Sequence, residues 1–107
     1  MVDPAIVTSV RKYLRELQAE GIDVRFGVIF GSWATGKGGQ WSDIDLLVVS
    51  PRFDASFSRQ DVDLLWCVAA RTDSRIEPIP CGQKQWEEGT DSAVVEIARR
   101  EGEPVAA

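Results

Sequence analysis

Asp43 and Asp45 stand two apart in the run Ser42-Asp43-Ile44-Asp45-Leu46-Leu47-Val48-Val49. On a strand, that spacing points both side chains to one face. At about 4 Å two carboxylates repel by about 1 kcal/mol in water and by roughly four times that near a protein surface. Without a cation one of them takes up a proton. Hard oxygen ligands at this spacing suit Mg2+, which prefers carboxylates, phosphates and water. Taken alone the pair also reads as two solvated acids at a strand end, which is the commoner case. Ten residues earlier, Gly31-Ser32 directly follows a strand-like run. A glycine there lets the backbone approach a phosphate. A helix beginning at Ser32 would offer its free N–H groups and positive end to an anion, and the Ser32 hydroxyl adds a donor. Alone, Gly-Ser after a strand is an ordinary turn.

Composition narrows the chemistry further. The 107-residue chain contains no histidine, which excludes Ser-His triads, histidine general bases and histidine-ligated zinc. Acid–base and metal chemistry must therefore use carboxylates. Apolar residues make up 44% and charged residues 27%, ordinary values for a folded domain. The net charge of −5 argues against a nucleic-acid surface, which needs a basic stripe. It leaves nucleotides open, because a metal site brings its own positive charge. Cys67 and Cys81 are the two cysteines. With no secretion signal and no apolar run of membrane-spanning length, the expectation is a cytoplasmic protein with reduced thiols.

The elements that must position these residues can be read in order. Asp3-Pro4 starts a helix carrying Ile6, Val7, Val10, Leu14 and Leu17 at helical spacing, and Gly21 stops it. Val24 to Phe30 reads as a strand, Gly31 to Gln40 as a helical turn and glycine-rich loop, and Ser42 to Val49 as a second strand. Ser58 and Asp61 form a capping signature before a stripe of Val62, Leu65, Trp66 and Ala69. Arg75 to Ile79 is a third strand, and Pro78 places it at a sheet edge. Gln83 to Glu88 reads as one helical turn. Asp91 or Ser92 caps a last helix with Val94, Ile97 and Ala98, ended by Gly102. The expected fold is α/β, of the α+β type, in the order α-β-α-β-α-β-α, with helices around a small mixed three-stranded sheet. Residues 1–102 form the domain, and 103–107 are expected to fray.

Strand, Gly31-Ser32, a spacer with Gly36, and Ser42-Asp43-Ile44-Asp45-Leu46-Leu47-Val48 together resemble the DNA polymerase β-like nucleotidyltransferases, and most nearly the minimal nucleotidyltransferases among them. The resemblance covers nearly the whole chain and implies the nucleotidyltransferase fold. It implies that Gly31 and Ser32 bind the phosphates of ATP or another nucleoside triphosphate. It also implies that Asp43 and Asp45 bind two Mg2+ ions, and that a third carboxylate on a later strand completes the site. Glu77 is the candidate, as metal ligand and general base, with Asp73 as fallback; Glu77 also reads as an edge-strand acid paired with Arg75. The implied reaction transfers a nucleoside monophosphate as pyrophosphate leaves.

Lesser candidates surround this set. Lys37 reads as a phosphate contact or a solvated loop lysine. Related enzymes often carry arginine where this chain has Thr35, just before Gly36. Arg75 reads as a neutraliser of the acids or a phosphate ligand. Trp33 and Trp41 read mainly as packing residues, with base stacking as the other role. Trp66 and Cys67 read as core or near-core, and Cys81 as unreactive. The minimal enzymes resemble antitoxins paired with helical HEPN-domain toxins, some of which they silence by transferring AMP to a tyrosine. The resemblance thus implies a HEPN-type protein partner. Two other functions stay open: an inert nucleotide- or partner-binding module, and a small-molecule enzyme of the kanamycin-nucleotidyltransferase type.

Overall fold

A computed structural model describes residues 2–89 and 92–107. Helix α1 spans Pro4–Ala19 and begins as its sequence dictates. The Asp3 carboxylate accepts from Ala5 N–H at 2.8 Å, and Pro4 opens the helix. Its inner face is Ile6, Val10, Tyr13, Leu14 and Leu17. Strand β1 (Phe26–Phe30) follows, then the expected helical turn, a single 3-10 turn at Gly31–Trp33. Strand β2 is Ile44–Ser50, so Asp43 stands just ahead of it rather than inside it. Helix α2 (Arg59–Thr72) starts with the expected capping box of Ser58 and Asp61.

Strand β3 (Ile76–Gly82) runs parallel to β2, with Asp45 opposite Glu77. It lies at the sheet edge, as Pro78 requires. Helices α3 (Gln83–Glu88) and α4 (Ala93–Glu101) come next. Ser92 caps α4 by accepting from Val95 N–H; the alternative cap, Asp91, lies outside the described residues.

The tail departs from expectation. Glu103–Ala106 is a fourth strand, β4, antiparallel to β1, and it does not fray. The sheet therefore has four strands, in the order β3-β2-β1-β4, rather than three. β1 and β2 are antiparallel and β2 and β3 parallel, which makes the sheet mixed. Val105 is buried at 3% exposure, and covering β1's open edge gives the tail its pairing partner.

Alternation along the strands builds two cores. Ile29, Ile44, Leu46, Val48 and Ile76 face α1 and α2. Val28, Phe30, Leu47, Val49 and Cys81 face α4 and Trp86 of α3. Asp45 shares the second face with Leu47 and Val49, two and four residues on. α2 turns differently from the expected stripe: Leu65, Val68 and Ala69 are buried, whereas Trp66 and Cys67 are exposed and not near-core residues. On α4, Val95 and Ala98 are buried and Val94 and Ile97 exposed. No described helix is long and apolar enough to cross a membrane.

Candidate active site

Three adjacent strands end together at one side of the sheet. Phe30, the last residue of β1, is opposite Asp45, and Asp45 is opposite Glu77 of β3. Opposed residues of neighbouring strands share a face, so Asp45 and Glu77 lie side by side, and Gly31 follows at the end of β1. Asp43 is exposed at the lip, while Asp45 and Glu77 are half-buried.

Gly31 is required twice over. Its φ of +75° is a left-handed conformation that side chains rarely adopt. A β-carbon there would also overlap the Asp45 Oδ2 atom and stand 3.2 Å from Asp45 Cγ. Backbone and carboxylate are thus in close approach, with no room between them. Ser32 lies in the 3-10 turn, whose leading N–H groups have no partner within the turn. The turn is closed by Ala34 and Thr35 N–H donating to Gly31 O at 3.1 and 3.2 Å, and Lys37 N–H donates to Ser32 O at 2.9 Å. The Lys37 side chain is exposed beside this turn. Thr35 turns its hydroxyl back to Gly31 O and Ser32 O.

The electrostatics mark a cluster short of positive charge. Burial raises the Asp45 carboxyl above its ordinary value, and the charge of Asp43 adds to this. Glu77 is raised chiefly because, when protonated, it can hydrogen-bond to the Asp43 carboxylate; burial and the charges of Asp43 and Asp45 add to this. Among the described residues no lysine or arginine forms an ion pair with any of the three. Arg75, one candidate neutraliser, is held by Asp73 at 2.7 and 3.0 Å. That pair also removes Asp73 as a free third acid, since Arg75 holds its carboxyl below the usual range.

This donor set suits Mg2+: all oxygen, clustered and without a protein counter-charge. Among the described residues no three His, Cys, Asp or Glu side chains are placed to hold a metal ion by themselves. Mg2+ does not need such a set, because it commonly takes one or two carboxylates and completes its shell with water and substrate phosphates.

The spacer leading to Asp43 is braced. Trp33 packs half-buried against the α1–α2 core, and its Nε1–H donates to Ser42 O at 3.2 Å. Gly38 lies against its ring, where any β-carbon would overlap it. Arg75 Nη1 donates to Gln40 O at 3.2 Å. Sequence reading missed this brace, since nothing in the pattern links residues 35 positions apart. Trp41 does not pack: it is 86% exposed. Cys81 is buried, and that burial pushes its thiol up to about 11, an unreactive state.

No curated protein matches the chain. Solved structures share its fold, two among them as follows. One is a toxin–antitoxin with AMP-PNP, with a TM-score of 0.62 and 19% identity, covering 92% of this chain and 70% of that one. The other is a Sulfolobus solfataricus protein assigned as a nucleotidyltransferase, with a TM-score of 0.57 and 19% identity, covering 77% and 71%. The family model for the nucleotidyltransferase domain matches residues 7–91, a stretch that holds Gly31, Ser32, Asp43, Asp45 and Glu77. By that match the chain belongs to the nucleotidyltransferase domain family.

Proposed function

We propose that the domain, acting in the cytoplasm, moves a nucleoside monophosphate, AMP from ATP, onto a hydroxyl of a separate protein. The proposed acceptor is a tyrosine of a HEPN-type toxin, which makes this chain the antitoxin. The observation that carries the reading is the alignment of Gly31, Asp45 and Glu77 across three neighbouring strand ends. The fold shared with a toxin–antitoxin that holds AMP-PNP supports it.

In this reading Gly31 admits the triphosphate to the backbone, and Ser32 donates its hydroxyl and N–H. Lys37 adds a cation beside them. Asp43, Asp45 and Glu77 would hold two Mg2+ ions, which neutralise charge on the phosphoryl oxygens and acidify the attacking hydroxyl. The acceptor oxygen bonds to the α-phosphorus as the bond from that phosphorus to the pyrophosphate oxygen breaks. Glu77 would accept the acceptor's proton on its carboxylate.

A tyrosine acceptor is not found within this domain. Tyr13 is the only tyrosine in this sequence. It is fully buried, and its hydroxyl donates to Leu65 O at 2.9 Å.

The test uses the purified chain, Mg2+ and the protein encoded beside its gene, with ATP labelled at the α- or the γ-phosphate. Label from α-ATP alone should reach the neighbour and vanish with Asp45→Ala. Transfer from γ-ATP would make the protein a kinase. No transfer from either, alongside a stable complex that Asp43→Ala and Asp45→Ala leave intact, would favour the inert binding module. Label on a soluble small molecule with no protein partner would favour the antibiotic-type enzyme.

A further inference from the structure

We propose that the outward stripe of α1 is a docking face for a short acidic segment of a separate protein. The proposal does not depend on the transferase reading. α1 covers the sheet face that carries Ile29, Leu46 and Val48, whereas Asp45 lies on the other.

The stripe holds positive charge that the fold leaves uncompensated. A groove of about 440 Å3 is lined by Thr8, Arg11, Lys12, Arg15, Glu16 and Ala19. Among the described residues Arg25, Arg52, Arg59, Arg71, Arg75 and Arg100 each have an acid within 4.0 Å. Arg11, Lys12 and Arg15 have none. The one acid in the lining is drawn away. Glu16 follows Lys12 by four residues, the spacing of a helical ion pair, yet it faces Arg71 of α2 at 3.8 Å. Arg11 and Arg15 are also four apart, and like charges at that spacing cost a helix stability. Lys12 and Arg15 are exposed. Arg11 is half-buried and steadied, its Nε–H donating to Ala106 O of β4 at 3.3 Å. A chain of net charge −5 thus gathers three cations on one face without a counter-charge, the complement of an acidic surface.

The extent of the patch selects the occupant. Arg11 to Arg15 span about 6 Å of helix axis. Exposed Asp3 precedes the helix at one end, and Glu16 and Glu20 follow the patch toward the other. A DNA duplex carries a charge about every 1.7 Å of its axis and would run off the patch onto these acids. A free phosphate gains little from side chains this open to solvent. A few carboxylates along one peptide engage all three cations at once and end where the patch ends.

The main probe is a dye-labelled, short random copolymer of glutamate with alanine, with a single-stranded oligonucleotide and inorganic phosphate beside it. Binding is read by anisotropy at about 10 mM salt, where the screening length is about 30 Å. The copolymer should bind wild type, and Lys12→Glu with Arg15→Glu should weaken it about tenfold or more, because two cations of the face are reversed. Lys12→Gln with Arg15→Gln, which puts no new charge beside Glu16, should weaken it by less. Arg59→Glu with Lys84→Glu makes the same change in net charge elsewhere on the surface and should leave binding near that of wild type. Unchanged binding in both Lys12 and Arg15 variants overturns the proposal. An equal loss in the Arg59 and Lys84 variant overturns it too, by reducing the effect to net charge. Tighter binding of the oligonucleotide than of the copolymer, lost in the same Lys12 and Arg15 variants, would make the face a nucleic-acid surface instead. Displacement of the copolymer by phosphate, but not by chloride at equal ionic strength, would make it a small-anion site and would equally overturn it.

Discussion

Replacing Gly31 by alanine tests the proposed site at its tightest point. Two costs follow from the geometry. The φ of +75° must be held by a residue with a β-carbon, which costs about 1–2 kcal/mol. The new methyl also overlaps Asp45 Oδ2, so the carboxylate must retreat by about 1 Å to reach ordinary contact. A displacement of about 1 Å in a catalytic group can lower the rate about 100-fold. Gly21 separates the two effects: its φ is +95° and nothing lies within 4 Å of an added β-carbon. Both Gly31→Ala and Gly21→Ala should therefore lose about 1–2 kcal/mol, read as a fall in Tm of about 5–15 °C. Only Gly31→Ala should lose activity, by about 100-fold in kcat/KM. Activity in Gly31→Ala within a few-fold of that in Gly21→Ala would refute the claim that the close approach of Gly31 to Asp45 is functional.

Asp43→Asn with Asp45→Asn should abolish metal-dependent activity and, in metal-free buffer, leave Tm unchanged or raise it by up to about 5 °C, as repulsion is relieved. The pH dependence has a definite sign. Asp45 and Glu77 titrate above their ordinary values when folded, so the folded state binds protons more readily than the unfolded chain. The double variant's advantage should be full at neutral pH and shrink as pH falls through those raised values; an advantage that grows on acidification would contradict it. Asp61→Asn should behave oppositely. The Asp61 carboxylate is paired with Arg52 at 2.9 and 3.1 Å and lies below its ordinary value. Its loss should cost about 1 kcal/mol at neutral pH, discounted because Arg52 is half exposed. In urea titrations that cost should fade only below about pH 4, as Asp61 itself protonates. Deleting residues 103–107 removes β4 and the buried Val105. It should lower stability by about 2 kcal/mol, and an unchanged urea midpoint would restore the frayed-tail expectation.

Much of the fold was legible because local signals were strong and agreed. The Asp3-Pro4 start, the Ser58–Asp61 box and the edge position of Pro78 each rest on one local rule, and the structure obeys all three. β4 was not legible. Glu103, Pro104 and Ala106 are poor strand formers, and the strand exists because β1 has an edge to fill. The phase of α2 was misread because Trp66 looked like core, whereas the smaller Val68 fills that place. The packing assignment held for Trp33 and failed for Trp41, since only Trp33 finds the α1–α2 core beneath it. Of the candidate site residues, Asp43, Asp45 and the Gly31-Ser32 pair each read as ordinary alone and stood out only in combination, through the family resemblance. Glu77 was preferred over Asp73 for its place inside the third strand; the register that sets it opposite Asp45 and the Arg75 pairing that takes up Asp73 came only with the structure.

The central claim is that Asp43, Asp45 and Glu77 hold divalent metal for a triphosphate. Mn2+, a spectroscopic substitute for Mg2+, can be titrated into the protein with AMP-PNP and its free signal followed by electron paramagnetic resonance. The account predicts up to two bound ions per chain with nucleotide present, and a loss of binding of at least tenfold in Asp45→Ala. Undiminished Mn2+ binding by Asp45→Ala, or none by the wild type with nucleotide, would contradict it.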